Sequence, residues 1–405
     1  MHILVLSPRQ LWPTNSGAKL REFHLAKALG RAGKLTLLHF LEPGEPAPSP
    51  SDLPFCDRVI AIPRPPLYTP IKLLQGVVGR WPLPVVNYYC PRMAAALRQL
   101  LSEQTFDIVH FESMNMVGYL PILESLSPAS SRMLDWHNID SELMERHAES
   151  NPFGPRKLYA QLTARRTYSL ETRMLASLDG HIVCSERERV TLRKRSPNAR
   201  IAVINNGVDV TSFQTARAAA ANESLIFVGQ MSYQPNIEGA LYFVRSVWPA
   251  VRKRFPSLRL RIVGANPAPA VRALASEPNV EVTGTVPDVR PYYADALAAI
   301  VPLLTGAGTR LKILEAMAAN VPVISTPIGA EGLEVEDGKQ ILLASTPDEW
   351  LASLAELYGH AERTAELTRS ARSLVEQRYD WQVIGAMLSE HYRDWVAHPT
   401  PPVLA

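Results

Sequence analysis

Cysteine is scarce in this chain. Its 405 residues hold three, Cys56, Cys90 and Cys184, far apart and without the spacing of a metal site or a redox pair. That excludes a disulfide-stapled scaffold, and the chain reads as cytosolic. No apolar run approaches the ~20 residues a spanning helix needs. The start, Met-His-Ile-Leu-Val-Leu-Ser, has no basic leader, and its apolar stretch is too short for a signal peptide. An Asp-x-Asp motif, a Walker lysine motif, a nucleophile elbow and zinc-ligand spacing are all missing. The chemistries that depend on them find no support, so neither a metal nor a cofactor is expected.

What is present is ordinary in amount: 46% apolar residues, 20% charged and 34 prolines. Disorder and fibre formation are thereby disfavoured, and the length suits two or three domains, each with its own core. The net charge of +3 hides an asymmetry. Residues 1–205 carry 25 Lys/Arg against 18 Asp/Glu, while residues 206–405 carry 17 against 21. Much of the excess lies in 156–200, where eleven basic residues meet four acids. Such a stretch either attracts anionic lipid or a polyanionic acceptor, or is a solvated helix surface. No nucleic-acid motif accompanies it, so no nucleic-acid partner is expected.

Short apolar runs alternate with amphipathic segments throughout. Strands are predicted at 2–7, 35–41, 58–62, 106–111, 132–136, 180–184 and 201–204, then at 224–228, 258–263, 280–283, 298–302, 322–325 and 340–343. Helices are predicted at 18–32, 93–101, 157–178, 238–254, 309–319, 347–358 and 381–396. Alternation of this kind implies an α/β protein with parallel sheets covered on both faces. The proline-rich stretch 43–70 reads largely as surface loop. The pattern restarts after Asn205-Asn206-Gly207-Val208-Asp209. It gives an N-terminal domain over 1–205, a linker over 206–222, a second domain over 223–378, a helix over 379–396 that returns towards the first domain, and a disordered tail over 397–405. Two such units place a cleft between the carboxyl ends of their sheets, where open α/β folds bind ligands.

The densest chemical signal is Thr305-Gly306-Ala307-Gly308-Thr309-Arg310-Leu311-Lys312, a glycine-rich turn between a strand and a helix. It aims unpaired backbone N–H groups and the positive helix end at an anion. Glycines let the main chain approach that anion closely, and Arg310 and Lys312 add charge suited to a diphosphate. Glu315, one to two turns on, can accept from a vicinal diol such as a ribose. A tight turn before an ordinary amphipathic helix is the alternative reading of the same residues.

The run Gly308–Leu333, GTRLKILEAMAANVPVISTPIGAEGL, resembles the donor-binding segment of family-4 glycosyltransferases. The resemblance continues in Phe227-Val228-Gly229-Gln230-Met231 with Pro235-Asn236, in Ile204–Asp209 and in Asp135-Trp136-His137-Asn138, and so covers nearly the whole chain. Its nearest flavour is the subgroup associated with bacterial exopolysaccharide assembly. It implies the GT-B fold, two facing Rossmann-like domains, and transfer of a sugar from a nucleoside-diphosphate sugar to an acceptor hydroxyl with retention of configuration. A hexosyl-type transferase in glycan biosynthesis, cytoplasmic or peripheral on the inner face of a membrane, follows as the expectation. Its acceptor would be a glycan, a lipid-linked or a small molecule. A sugar-nucleotide epimerase or hydrolase on the same fold, or a non-catalytic nucleotide-sugar-binding protein, is the alternative.

The resemblance carries over residue by residue. Gly17, Gly229, Gln230, Val286, Gly306, Ala307, Gly308, Thr309, Arg310, Lys312 and Glu315 fall on the donor side. His137, Arg310 and Lys312 are the catalytic candidates, and Asn138 and Asp140 the acceptor-side ones. Imidazole at His137 can hydrogen-bond a sugar hydroxyl or steady charge as the glycosyl bond breaks, although position alone also allows a structural histidine. Asp140 and Glu142 either deprotonate an acceptor or sit on a solvated helix surface, and the latter is expected. Glu331 contacts the sugar or caps a turn. Three departures from the family pattern stand out. Ala307 replaces a glutamate eight before Glu315, Gln230 and Asn236 stand where family members often place Arg and Lys, and Asn320 stands where glycine is usual, as a left-handed helix cap.

Overall fold

The computed structural model describes residues 1–150, 153–213, 224–306, 308 and 310–398. Ala307, Thr309, the run 214–223 that makes up most of the expected linker, and the tail 399–405 lie outside the described residues. The chain divides into two compact units, one of Met1–Asn205 with Ile384–Ala405, the other of Asn206–Val383.

The first unit is built on seven strands: β1 (His2–Ser7), β2 (Lys34–Leu41), β3 (Arg58–Pro63), β4 (Ile108–Glu112), β5 (Ser131–Trp136), β6 (Gly180–Val183) and β7 (Ile201–Val203). They pair in parallel in the order β3-β2-β1-β4-β5-β6-β7. The second sheet, also parallel, runs β10-β9-β8-β11-β12-β13. Its strands are β8 (Ser224–Val228), β9 (Arg259–Val263), β10 (Val280–Gly284), β11 (Ala296–Val301), β12 (Val323–Ser325) and β13 (Leu342–Leu343). Aliphatic residues fill these strands because helices bury both sheet faces, which is the pattern parallel sheets require. In each unit the order reverses once, between β1 and β4 and between β8 and β11. The carboxyl ends of those strand pairs are where this class of sheet opens a crevice.

The helices differ from expectation in three instructive places. The segment expected as one helix over 238–254 is an α-helix at Gln234–Tyr242, a π-turn at Phe243–Val247 and a second α-helix at Trp248–Arg254. Pro249 explains the break, since it has no N–H to donate and its ring crowds the carbonyl four residues back. An 18-residue helix at Ala361–Arg378 escapes the periodicity because its buried side, Leu367, Thr368, Ala371 and Val375, is narrow and partly polar. Beyond the proline-rich loop stands a helix at Pro70–Val78, with Thr69 Oγ1 accepting from the Lys72 N–H and Pro70 in its first turn.

The final helix, Trp381–Ala397, starts in the second unit and ends in the first, one residue past the boundary expected for the tail. Within the first unit its Tyr392 meets His110 of β4, and Trp395 packs over Gly180 of β6.

Candidate functional site

Two groups of ionisable side chains gather at the reversal points, one in each unit.

In the first unit, strand alternation sorts the residues. Val109, Phe111, Leu134 and Trp136 join the apolar core. His110, Glu112 and Asp135 point to the other face, with Glu112 and Asp135 as direct register partners. His137 follows β5 immediately. Its Nε2 lies 3.2 Å from Glu112 Oε2, 3.7 Å from Asp135 Oδ2 and 3.8 Å from Glu22 Oε1. Burial opposes the imidazolium, but these carboxylates outweigh it and raise the His137 pKa.

Each carboxylate is held in turn. Arg21 donates to both oxygens of Asp135, at 2.7 and 2.9 Å, and to the Ile204 carbonyl at 2.7 Å. Glu112 Oε1 lies 2.9 Å from His110 Nε2, and His110 Nδ1 lies 2.5 Å from the Tyr392 hydroxyl. Burial works against the Glu112 carboxylate, yet His110 and His137 hold its pKa well below the usual range. Glu22 accepts from Ser7 Oγ at 2.8 Å and pairs with Arg9 at 3.2 Å. Burial and the neighbouring Glu112 charge push Glu22 up to about 7. Carboxylate and imidazole atoms of Glu22, Glu112 and His137 lie close enough together to hold a cation. Arg9, Ser7 and His110 already engage those carboxylates.

His137 opens onto a recess of about 140 Å³ lined by Arg9, Ala18, Ser113, Asn138 and Asp140 among others. Asn138 is exposed there. Asp140 is not the solvated helix-surface residue expected from its position. It faces the recess, and burial together with Glu171 pushes its carboxyl up to about 7. Glu142 does stay near the surface, paired with Arg187 and Arg146. Gly17 opens the helix Gly17–Ala32, whose N-cap Ser16 accepts from the Lys19 N–H. Helix phase turns neither Lys19 nor Arg21 to solvent. Lys19 pairs with Glu42 at 2.6 Å, and both cations are buried.

In the second unit, β8 delivers Gly229. A methyl group there would stand 2.7 Å from Asn236 Nδ2 and 2.9 Å from Lys312 Nζ, so a larger residue would displace one or both side chains. The Asn236 amide is fixed from both ends. Its Nδ2 donates to the Gln230 carbonyl at 2.9 Å, and its Oδ1 accepts from Lys312 Nζ at 2.7 Å. The Lys312 ammonium also lies 4.6 Å from the centre of the Phe227 ring. Burial and the nearby Arg310 charge bring its pKa down to about 7. Gln230 is exposed and contributes its main chain.

The turn after β11 uses left-handed backbone at Gly306 and Gly308, with φ of 123° and 83°. The helix begins at Leu311 rather than at 309, which leaves Arg310 as its N-cap. Arg310 is buried, and its Nη1 donates to the Gly308 carbonyl at 2.8 Å. Arg310 and Lys312 thus both turn inward. The helix ends as expected on Asn320, φ 57°, with Asn320 N–H bonding the Met317 carbonyl and Val321 N–H the Ala316 carbonyl.

Glu315 accepts from the Tyr293 hydroxyl at 3.2 Å, and burial raises its pKa. Glu331 is exposed at the end of the short helix Pro327–Ala330. Val286 does not join the cluster. It follows β10, two strands out from β8, and packs on the apolar core.

Sequence reasoning missed Arg9, Glu22, Glu112 and His110 as members of the first cluster. A signal was there: His110 and Glu112 interrupt an otherwise aliphatic strand, and ionisable groups buried in a sheet have to be paired.

The sequence and the fold are similar to those of known glycosyltransferases. The family described as Glycosyltransferase Family 4 matches residues 17–212, and the family described as Glycosyl transferases group 1 matches residues 222–360. A D-inositol 3-phosphate glycosyltransferase of Thermobispora bispora is 29% identical over 56% of this chain and 58% of its own. A glycosyltransferase assigned to colanic acid biosynthesis in Escherichia coli is 27% identical over 48% of this chain and 51% of its own. The chain spans about half the length of these curated relatives. Among solved structures, Alr3699/HepE of Anabaena in complex with UDP and glucose superposes with a TM-score of 0.64 at 16% identity. That match covers 96% of this chain and 99% of the other, and at such identity it speaks for the fold alone.

Proposed function

We propose, from the premise that the chain belongs to glycosyltransferase family 4 with the GT-B fold, that it moves a hexosyl group from a nucleoside-diphosphate sugar to an acceptor hydroxyl with retention of configuration. The observation that carries this reading is the Lys312 ammonium, which lies against Gly229 and Asn236 at the carboxyl end of β8. A cation there, beside a glycine turn and the start of a helix, suits a diphosphate leaving group.

In this reading Arg310 and Lys312 hold the diphosphate as it gains charge. Stabilising a departing group in this way is the largest contribution a transferase of this kind makes. Gly229, Gly306 and Gly308 let the main chain approach the phosphates, and Glu315 takes the ribose diol. His137, whose pKa Asp135 and Glu112 raise, steadies the transferred sugar, while Asp140, with its raised pKa, is the group suited to receive an acceptor proton. No metal or cofactor enters the scheme.

The assignment of the Escherichia coli relative to colanic acid biosynthesis supports exopolysaccharide assembly as the setting; a cytoplasmic location is part of the same proposal. Structures of the Anabaena neighbour with UDP and with UDP-glucose make uridine donors the first to try. The test is to incubate the protein with UDP-, GDP- and dTDP-sugars, with and without candidate acceptors, and to follow nucleotide release and products. Acceptor-dependent release of a nucleoside diphosphate with a new α-linked product from an α-linked donor supports the proposal. Acceptor-independent epimer or free sugar, or binding with no turnover under any acceptor, overturns it.

A further inference from the structure

We infer that Tyr392, on the final helix, is a positioning residue for the imidazole of His137, acting through His110 and Glu112. The role given to His137 rests on the sugar-transfer reading above; the contacts that join the four residues do not.

The four side chains form one line from the final helix to the recess. The helix beyond Ile384 belongs to the first unit, and its Tyr392 hydroxyl comes within 2.5 Å of His110 Nδ1. His110 and Glu112 stand two apart on β4 and so share a face. His110 Nε2 is 2.9 Å from Glu112 Oε1, and the other carboxylate oxygen, Oε2, is 3.2 Å from His137 Nε2. Tyr392, His110 and Glu112 are fully buried, while His137 opens onto the recess.

Both ends of the line dictate where the proton on His110 sits. A buried phenol has to place its hydrogen, and burial with the nearby Asp135 and Glu112 carboxylates keeps that hydrogen on Tyr392. His110 Nδ1 is the acceptor at hand, so the other ring nitrogen, Nε2, carries the ring proton. An ionised Glu112 can only accept, and it calls for that same proton on Nε2. The tautomer that satisfies Tyr392 is therefore the one that satisfies Glu112.

Glu112 depends on this more than its neighbours do. Glu22 pairs with Arg9 and Asp135 with Arg21, but among the described residues the ion-pair partners of Glu112 are the two histidines. Without the Tyr392 hydroxyl, His110 is free to carry its proton on Nδ1 and turn a lone pair towards the carboxylate. Glu112 then loses one of its two partners, and His137 loses its nearest fixed charge. Docking of the helix does not need the hydroxyl, because Trp395 packs over Gly180 and Gly385 lies against Ala28.

The experiment is NMR of the full chain carrying nitrogen-labelled histidine, titrated with pH, beside steady-state rates with a native donor. In the natural protein His110 should show a bare Nδ1 and a protonated Nε2. In Tyr392→Phe that proton should redistribute, and the His137 midpoint should move to lower pH. Turnover should fall several-fold with KM for the donor unchanged, since the donor-side residues belong to the second unit. Trp395→Phe alters the packing of the same helix without touching the hydroxyl and should leave the midpoint in place. His110→Gln keeps an N–H for Glu112 but severs the link, so adding Tyr392→Phe to it should change nothing further. Unchanged circular dichroism establishes that each variant is folded. A proton on His110 Nδ1 in the natural protein overturns the inference with no variant needed. So does an unmoved His137 midpoint in Tyr392→Phe, an equal shift in Trp395→Phe, or a Tyr392→Phe effect undiminished in the His110→Gln background. A chain with no transferase activity overturns the sugar-transfer reading instead, and the NMR measurements still decide the relay.

Discussion

The Lys312 ammonium stands 2.7 Å from the Asn236 carboxamide oxygen. Family members often carry a cation of their own at the position of Asn236. Here the lysine comes instead from the helix after the glycine turn, and the asparagine side chain becomes its anchor.

This relation predicts a rescue. Lys312→Ala should lower turnover by ~10²–10³, the usual cost of removing one preorganised contact to a developing anion. Arg310→Ala should do likewise, and Arg310→Lys should not be silent, since a planar fork and a point charge bind phosphate differently. Restoring a cation from the other side, in Lys312→Asn with Asn236→Lys, should recover at least tenfold over Lys312→Asn alone. Steady-state rates with a native donor, on variants shown to be folded, decide it. Near-normal rates in both single alanine variants mean that the diphosphate is held elsewhere.

Binding should also carry a proton. With the Lys312 pKa brought down to about 7 by burial and Arg310, much of the ammonium is neutral at pH 8 before a diphosphate arrives. The bound anion favours the charged form, so binding at pH 8 takes up protons and affinity falls as pH rises above 7. Phosphate second ionisations near ~6 are complete by then and do not interfere. Calorimetry in buffers of different ionisation enthalpy reads the uptake, which Lys312→Met should abolish.

Glu112 is expected to govern the basicity of His137. Their contact of 3.2 Å is part of what holds the imidazole pKa up against burial. Glu112→Gln removes the charge and keeps the shape, so the His137 titration midpoint should move to lower pH, as read by NMR. The limb of the pH–rate profile that follows this histidine should move with it. An unmoved midpoint would leave Asp135 and Glu22 as the sole determinants.

Arg21 and Asp135 test the scaffold rather than the chemistry. Both are fully buried, and the arginine also holds the Ile204 carbonyl. Arg21→Ala strips the buried Asp135 carboxylate of its bidentate partner, leaving His137 at 3.7 Å, and breaking such a pair costs about 3–5 kcal/mol. Urea denaturation should show this loss, and an Arg21→Met/Asp135→Leu double variant should recover much of it.

The sheets were legible because buried parallel strands must be short aliphatic runs. The strands His2–Ser7 and Ser224–Val228 follow the apolar pattern to the residue. The helix Ala361–Arg378 was not, because four buried positions in eighteen residues, half of them Arg, Glu and Ser, leave little periodic signal. The glycine turn after β11 was legible for a local reason: its glycines, Arg310 and Lys312 lie within seven residues. The His137 cluster was not. Glu22, Glu112 and Asp135 are brought together only by the strand order β1-β4-β5 and by the helix that follows β1. No spacing along the chain encodes that.

The central claim is that Arg310 and Lys312 hold the diphosphate of a sugar nucleotide. It is tested most directly by titrating the protein and its Lys312→Ala variant with UDP and UMP, and with GDP and GMP, by calorimetry at pH 7. The account predicts that one diphosphate binds at least tenfold tighter than its monophosphate in the natural protein, and that this difference collapses in the variant. Equal affinity for diphosphate and monophosphate, or a difference that survives the loss of Lys312, would contradict it.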